Sequence, residues 1–316
     1  MTRKISITLL WWTALFMSGL AHAAELPLKA VQVAERVWFV QWQAALGTPE
    51  NRNFISNAGF VVTDDGVVVV DALGSPALAQ ELLAEIKRVT PQPVRYVIVT
   101  HYHADHIYGL QTFKAAGATV LAHVQGREYL NSETARQRLE ASRVDLAPWI
   151  NASTHLLEAD RWLDQPQTDL KVGSYDFQIS HVGPAHTPED LVVFVPQLGV
   201  LFSGDLFFQG RIPFVGQADS RSWIASLTRL IKYQPKLVIP GHGPVSTNPA
   251  EDMAMTRDYL EYLRSSMGES ARNLEPFEEA YAKANWSRFE GMPLFRAANR
   301  MNAYNTYLLM EQQGDQ

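Results

Sequence analysis

Four side chains able to bind a metal fall within six residues at His101-Tyr102-His103-Ala104-Asp105-His106. The stretch follows Val94-Arg95-Tyr96-Val97-Ile98-Val99-Thr100, which reads as a buried strand ending in a polar loop. A loop leaving a strand is anchored by the sheet on one side and open to solvent on the other. It can therefore grip an ion rigidly and still admit a substrate. The chain has no cysteine, so any transition-metal site is built from imidazole and carboxylate. That donor set suits zinc, iron or manganese better than copper(I) or an iron–sulfur cluster. The same absence removes a thiolate nucleophile and a disulfide framework.

Three more ligand-type residues stand alone beside apolar β-runs: His186, Asp205 and His242. Each is framed by glycine or proline, in Gly183-Pro184-Ala185-His186-Thr187-Pro188, Ser203-Gly204-Asp205 and Pro240-Gly241-His242-Gly243-Pro244. Those residues let backbone turn tightly beside a cofactor.

Alternating strands and helices must position these loops. Val37–Val40 and Gly59–Val62 read as strands, and Thr63-Asp64-Asp65-Gly66 turns the chain into Val67–Asp71 as a hairpin. Ser75 as N-cap and Pro76 at the first helical position start a helix with Leu78, Leu82, Leu83, Ile86 and Val89 along one face. A second helix is expected from Asp105 to about Ala116, stopped by Gly117, then a strand at Ala118–Ala122 and polar helix over 124–142. Residues 143–165 carry no clear pattern. Strands are expected at Leu170–Ser180, Leu191–Val195, Gly199–Phe202 and Lys236–Ile239, with a helix at Ser222–Ile231. From about Asn248 the chain is helical, with Tyr259, Leu260 and Leu263 on one face. One α/β domain over about residues 30–250 with a helical C-terminal extension over 251–316 is the economical division.

With 47% hydrophobic and 19% charged residues the chain is an ordinary globular one, and its formal charge of −6 gives nucleic acid or an anionic membrane no electrostatic support as partner. Arg3 and Lys4, the apolar stretch Ile5–Leu20 and Ala21-His22-Ala23 together describe a signal peptide over residues 1–23, cleaved near Ala23. A periplasmic or secreted product with no stable membrane span is expected, because the apolar run is shorter than the roughly 18 residues of a span. The sequence sets no oligomeric state.

Taken together, His101, His103, Asp105, His106, His186, Asp205 and His242 resemble the ligand motifs of the metallo-β-lactamase-fold hydrolase superfamily, complete and in order. The resemblance implies a four-layer αββα sandwich with a dinuclear site at the edge of two facing sheets. It implies that His101, His103 and His186 hold a first metal, that Asp105, His106 and His242 hold a second, and that Asp205 bridges them. Two such ions lower the pKa of a shared water from about 15.7 toward neutrality, polarise a scissile carbonyl and hold the oxyanion formed on attack. Asp105 would orient the bridging hydroxide and shuttle its proton. Asp71 resembles the family's supporting carboxylate, and a strand-end turn cap accounts for it equally well. Structural roles are expected for His123 and His181, and Tyr102 and Tyr108 either line the pocket or pack. His155 has no functional reading.

Asp205 separates branches of the superfamily, since the broadest zinc β-lactamases resemble one another in a cysteine there, whereas thioester, lactone and phosphodiester hydrolases use aspartate. Pro240-Gly241-His242-Gly243 is likewise similar to glyoxalase-II-like members, while His186-Thr187-Pro188-Glu189-Asp190 is similar to the lactamase pattern. The whole most resembles periplasmic zinc metallohydrolases associated with quinoprotein and sulfur-oxidation systems. The expected activity is hydrolysis of an ester, thioester or lactone-like carbonyl of a small molecule, with two zinc ions per chain, or iron or manganese. A β-lactamase and an iron-dependent redox protein are the alternatives. Phe208 stands where such lactamases carry a substrate-anchoring lysine, so Phe207 and Phe208 are expected to form an apolar wall, with Arg211 the first cation downstream.

Overall fold

The computed structural model describes residues 28–41 and 43–313, and the signal expected over residues 1–23 lies outside them. The run Gly66-Val67-Val68-Val69-Val70 has no polar face, so it demands cover on both sides, and it forms the centre of the first sheet. In that sheet β1 (Val31–Ala34), β2 (Val37–Val40), β3 (Ala58–Thr63), β4 (Gly66–Val70), β5 (Val94–Ile98), β6 (Thr119–His123) and β7 (Arg161–Leu163) lie side by side in chain order. Pairing is antiparallel from β1 to β4 and parallel from β4 to β7. The second sheet comprises β8 (Gln167–Val172), β9 (Tyr175–His181), β10 (Leu191–Val195), β11 (Val200–Phe208) and β12 (Leu237–His242), ordered β12-β11-β10-β9-β8.

Alternation along β4 builds two cores at once. Val68 and Val70 join Phe202, Ile239 and Phe177 between the sheets, whereas Val67 and Val69 join the outer helices. Those helices are α1 (Pro76–Val89), α2 (Ala104–Ile107), α3 (Leu110–Ala115), α4 (Gly126–Leu130) and α5 (Glu133–Asp145). On the far side of the second sheet lie α6 (Ser220–Ile231), α7 (Pro249–Arg272), α8 (Phe277–Lys283) and α9 (Phe295–Gln313). Trp223, Leu227 and Leu230 of α6 share one apolar cluster with Tyr259, Leu260 and Leu263 of α7 and with Phe208 of β11. The result is the four-layer αββα sandwich with helices after it. No helix among the described residues is long and apolar enough to cross a membrane.

Ser75 caps α1 as expected, its Oγ accepting from Leu78 N at 3.3 Å. Several other expectations need correction. The helix foreseen over 105–116 is two, α2 and α3, broken at Tyr108-Gly109, because Gly109 presses on Ala72, where a Cβ would meet the carbonyl oxygen at 2.0 Å. Leu170–Ser180 is not one strand; Gly173, at φ 58°, turns it into the β8–β9 hairpin. The helical stretch over 124–142 is α4 and α5, divided where Ser132 caps α5. Strand β11 runs through Asp205 instead of ending before it, and β12 continues to His242. Strands β1 and β7 had no reading, being short, half-exposed edges.

Candidate metal centre

Strand direction gathers the ligand-type residues. β9 and β11 each run antiparallel to β10, and β12 runs parallel to β11, so the carboxyl ends of all three meet at one edge of the second sheet. The carboxyl ends of β4 and β5 meet at an edge of the first. Leu191 N donates to Thr100 O at 2.8 Å and ties the two edges together. The carboxyl-terminal parts of five strands and the loops after them thereby converge, although their residues span 71 to 242 of the chain.

Two clusters of donor atoms form there, one of His101, His103, His186 and Asp205, the other of Asp105, His106 and His242, each with its donor atoms within 4.8 Å of one another. His103 Nδ1 lies 3.0 Å from both His101 Nε2 and His186 Nε2. One proton satisfies only one such pair, whereas a shared cation satisfies all three nitrogens. Asp205 faces both clusters. Its Oδ1 is 3.2 Å from His106 Nε2, and its Oδ2 is 3.2 Å from His242 Nε2, 3.5 Å from His186 Nε2 and 3.8 Å from His101 Nε2. Asp105 Oδ2 lies 3.3 Å from His242 Nε2 and 3.5 Å from His106 Nε2. His106 Nε2 and Asp205 Oδ1 are buried without a hydrogen-bond partner among the described residues, an arrangement that fits a divalent ion.

The far side of each ring sets its tautomer. His106 Nδ1 donates to Asp71 Oδ2 at 2.9 Å, and His242 Nδ1 donates to Ile55 O at 2.6 Å. His101 Nδ1 reaches Thr100 Oγ1 at 3.0 Å, and that hydroxyl donates to Asp71 Oδ2 at 2.8 Å. In all three rings Nε2 is left as the nitrogen that faces the cluster. Asp71 thus acts beyond a turn cap, since it also accepts Thr100 N at 2.8 Å and steadies two rings.

Charge divides the two clusters. Burial, reinforced by His106, holds His101 well below the ordinary imidazole range; burial with His186 takes His103 to about 3, and burial takes His186 to about 4. These three are neutral donors at pH 7. Burial opposes charge on His106 and His242 too, but the carboxylates Asp105 and Asp205 outweigh it and raise both. Burial alone would lift Asp205 and Asp105, and the facing histidines instead bring both well below the carboxylate range. The second cluster is therefore where imidazoles and carboxylates favour one another's charged forms, with Asp205 shared between the two clusters.

The remaining candidates lie outside the cluster. His123 and His181 stack on each other at 3.7 Å, and His181 Nε2 donates to Pro188 O at 2.8 Å. His155 is exposed on its loop. Tyr102 and Tyr108 are buried and pack. Phe207 and Phe208 form no substrate wall: both are fully buried, and Phe208 stacks on His242 at 5.0 Å and 7° because β11 and β12 pair these residues in register. Arg211 is 2% exposed behind His242, out of reach of a substrate.

Sequence reading missed the residues that lock the loops. Asn57 Nδ2 donates to Pro240 O at 2.8 Å and Gly243 O at 2.7 Å, bracing the His242 turn from 183 and 186 positions away. Ser56 Oγ donates to Asp105 O at 2.6 Å. Asp190 accepts Thr187 N and Thr187 Oγ1, both at 2.8 Å, and fixes the turn after His186. The Thr-x-x-Asp spacing of that turn was a readable signal; nothing local marks Asn57.

Residues 51–242 match the family model described as the metallo-beta-lactamase superfamily. A linear primary-alkylsulfatase of Pseudomonas sp. (strain ATCC 19151) is 26% identical over 235 residues, 63% of this chain and 44% of that protein. A metallo-beta-lactamase type 2 of Bacillus cereus is 29% identical over 220 residues, 68% of this chain and 76% of that one. Among solved structures, a metallo-beta-lactamase from Pontibacter korlensis superposes with TM-score 0.58 at 24% identity, covering 74% of this chain and 99% of that one. A stereoselective inverting sec-alkylsulfatase from Pseudomonas sp. superposes with TM-score 0.71 at 18% identity, covering 89% of this chain and 50% of that one. The chain thus spans about half the length of the alkylsulfatases it matches.

Proposed function

Because this chain belongs to the metallo-beta-lactamase superfamily, whose similar members are metal-dependent hydrolases, we propose that its edge cluster holds two zinc ions and cleaves an ester, thioester or lactone-like bond of a small molecule. The observation that carries the reading is the Asp205 carboxylate, which offers one oxygen to His106 and the other to His186, His101 and His242. His101, His103 and His186 would hold one ion and Asp105, His106 and His242 the other, with Asp205 between them. Two divalent ions supply Lewis acidity and lower the pKa of water toward neutrality. The chain's own groups do the rest. Asp71, Thr100 and the Ile55 carbonyl keep the Nε2 lone pairs of His101, His106 and His242 inward. Asp105 is less buried than Asp205, with its Oδ2 turned to the histidines, and would orient the attacking water and relay the proton it loses.

A sulfate ester is the second reading. The alkylsulfatase similarity favours it. In this reading the protein works in the periplasm, on the strength of the signal pattern over residues 1–23.

Metal analysis of zinc-loaded protein is expected to give two ions per chain, and His242→Ala to retain one. Steady-state kinetics on an aryl ester, a thioester, a lactone, a primary alkyl sulfate and a carbapenem then select the substrate. A carbonyl ester is expected to exceed the carbapenem in kcat/KM by at least about tenfold, roughly 1.4 kcal/mol of transition-state preference. A carbapenem or sulfate in first place would replace the substrate assignment and leave the metal site standing.

A further inference from the structure

Behind His242 lies a buried cation that the proposed chemistry does not use. Arg211 Nε donates to Ile212 O at 3.3 Å, Nη1 lies 3.2 Å from His242 Nδ1, and Nη2 has no hydrogen-bond partner among the described residues. Its guanidinium carbon sits 5.4 Å from the Phe208 ring and 5.1 Å from the Phe214 ring. It forms no ion pair among the described residues, and the carboxylates that act on it are Asp205 and Asp105, beyond the His242 ring. A desolvated guanidinium with an unmet N–H is costly, so its presence needs a reason.

The contact with His242 is not a hydrogen bond. His242 Nδ1 has a single in-plane direction, and the carbonyl of Ile55 at 2.6 Å takes it, which requires a proton on Nδ1. An N–H of Arg211 cannot donate to a nitrogen that is itself protonated. What reaches His242 from Arg211 is therefore charge. Across the ring stand the two carboxylates, so the guanidinium balances them from behind, and it opposes any cation placed between them and His242.

Resting on the two-ion reading, we propose that Arg211 is a fixed counter-charge that weakens the second metal position, at Asp105, His106 and His242, relative to the first, so that the two positions fill in order. The residue touches neither substrate nor ion; it tunes affinity through the field at His242.

Zinc titration against a chromophoric chelator tests this in the full chain. The wild-type protein is expected to bind in two steps. Arg211→Met and Arg211→Gln, which remove the charge, are expected to tighten the second step by about tenfold or more and leave the first within about threefold. Arg211→Lys keeps the charge and is expected to stay near wild type. Circular dichroism checks that each variant is folded, and Arg211→Gln against Arg211→Lys suffices should Arg211→Met fail to fold. A second step unchanged or weaker in the neutral variants overturns the inference, because Arg211 would then act only by shape. A wild-type protein that never takes more than one ion fails differently: it removes the two-ion reading itself, and the inference with it.

Discussion

Asp71 shows how much a single side chain can hold. It sits at φ 64°, a conformation that Asp tolerates better than most residues, at the carboxyl end of β4. There it accepts from Thr100 N, Thr100 Oγ1 and His106 Nδ1. Replacing it with alanine strands three buried donors, each costing about 1–3 kcal/mol when unmet. Asp71→Ala is expected to lose at least about 3 kcal/mol in urea denaturation and to weaken zinc binding by about 10- to 100-fold in chelator competition. Asp71→Asn keeps the shape and one acceptor, so its stability loss should be smaller while metal affinity still falls. Equal loss of stability with unchanged zinc affinity would return Asp71 to the role of a turn cap.

At the scale of elements, the parallel pair β11–β12 sets the position of both Asp205 and His242. Close approach is possible because glycine stands where β11 meets the end of β5 and where β12 meets β11. A Cβ on Gly204, at φ 51°, would lie 2.8 Å from the Thr100 side chain, and one on Gly241 would lie 2.0 Å from Asp205 Oδ1. Gly241→Ala must therefore displace the Asp205 carboxylate. The expected outcome is a fall in zinc affinity of at least about tenfold with a stability loss of about 1–3 kcal/mol, read by chelator competition and thermal melting. The sequence marked both glycines only as turn formers. Their use as gaps for a neighbouring residue depends on what lies across the sheet, which local pattern does not carry.

For the molecule as a whole, the helices after β12 share one core with the second sheet. Asn302 of α9 donates to Pro213 O at 2.7 Å and Tyr259 Oη at 3.0 Å, and accepts Val215 N at 2.9 Å. It thereby clips the last helix to the segment just beyond Arg211. Asn302→Leu leaves the Pro213 carbonyl and the Val215 amide unmet in the interior, and a loss of about 2–4 kcal/mol is expected by denaturant unfolding. Because α6, α7, α9 and β11 bury a common apolar cluster, unfolding followed by tryptophan fluorescence and by circular dichroism should coincide in one transition. Two separated transitions would make the helices an independent unit. The sec-alkylsulfatase superposition covers 89% of the chain against 74% for the metallo-beta-lactamase, so the shared fold extends into these helices.

Candidate ligand types were legible from the sequence alone: His101, His103, Asp105 and His106 sit within six residues, and His186, Asp205 and His242 stand out only together with them, each framed by glycine or proline. Strand cores and the α1 cap were legible for the same reason, since period and capping act over a few residues. Only the tertiary structure decided which oxygen of Asp205 faces which histidine, that Asn57 braces the His242 turn, and that Phe208 and Arg211 stand behind the site instead of beside the substrate. Those facts depend on strand direction and register across the two sheets, which bring together residues up to 187 positions apart. Spacing along the chain reports what a residue can do; the sheet edge determines what it meets.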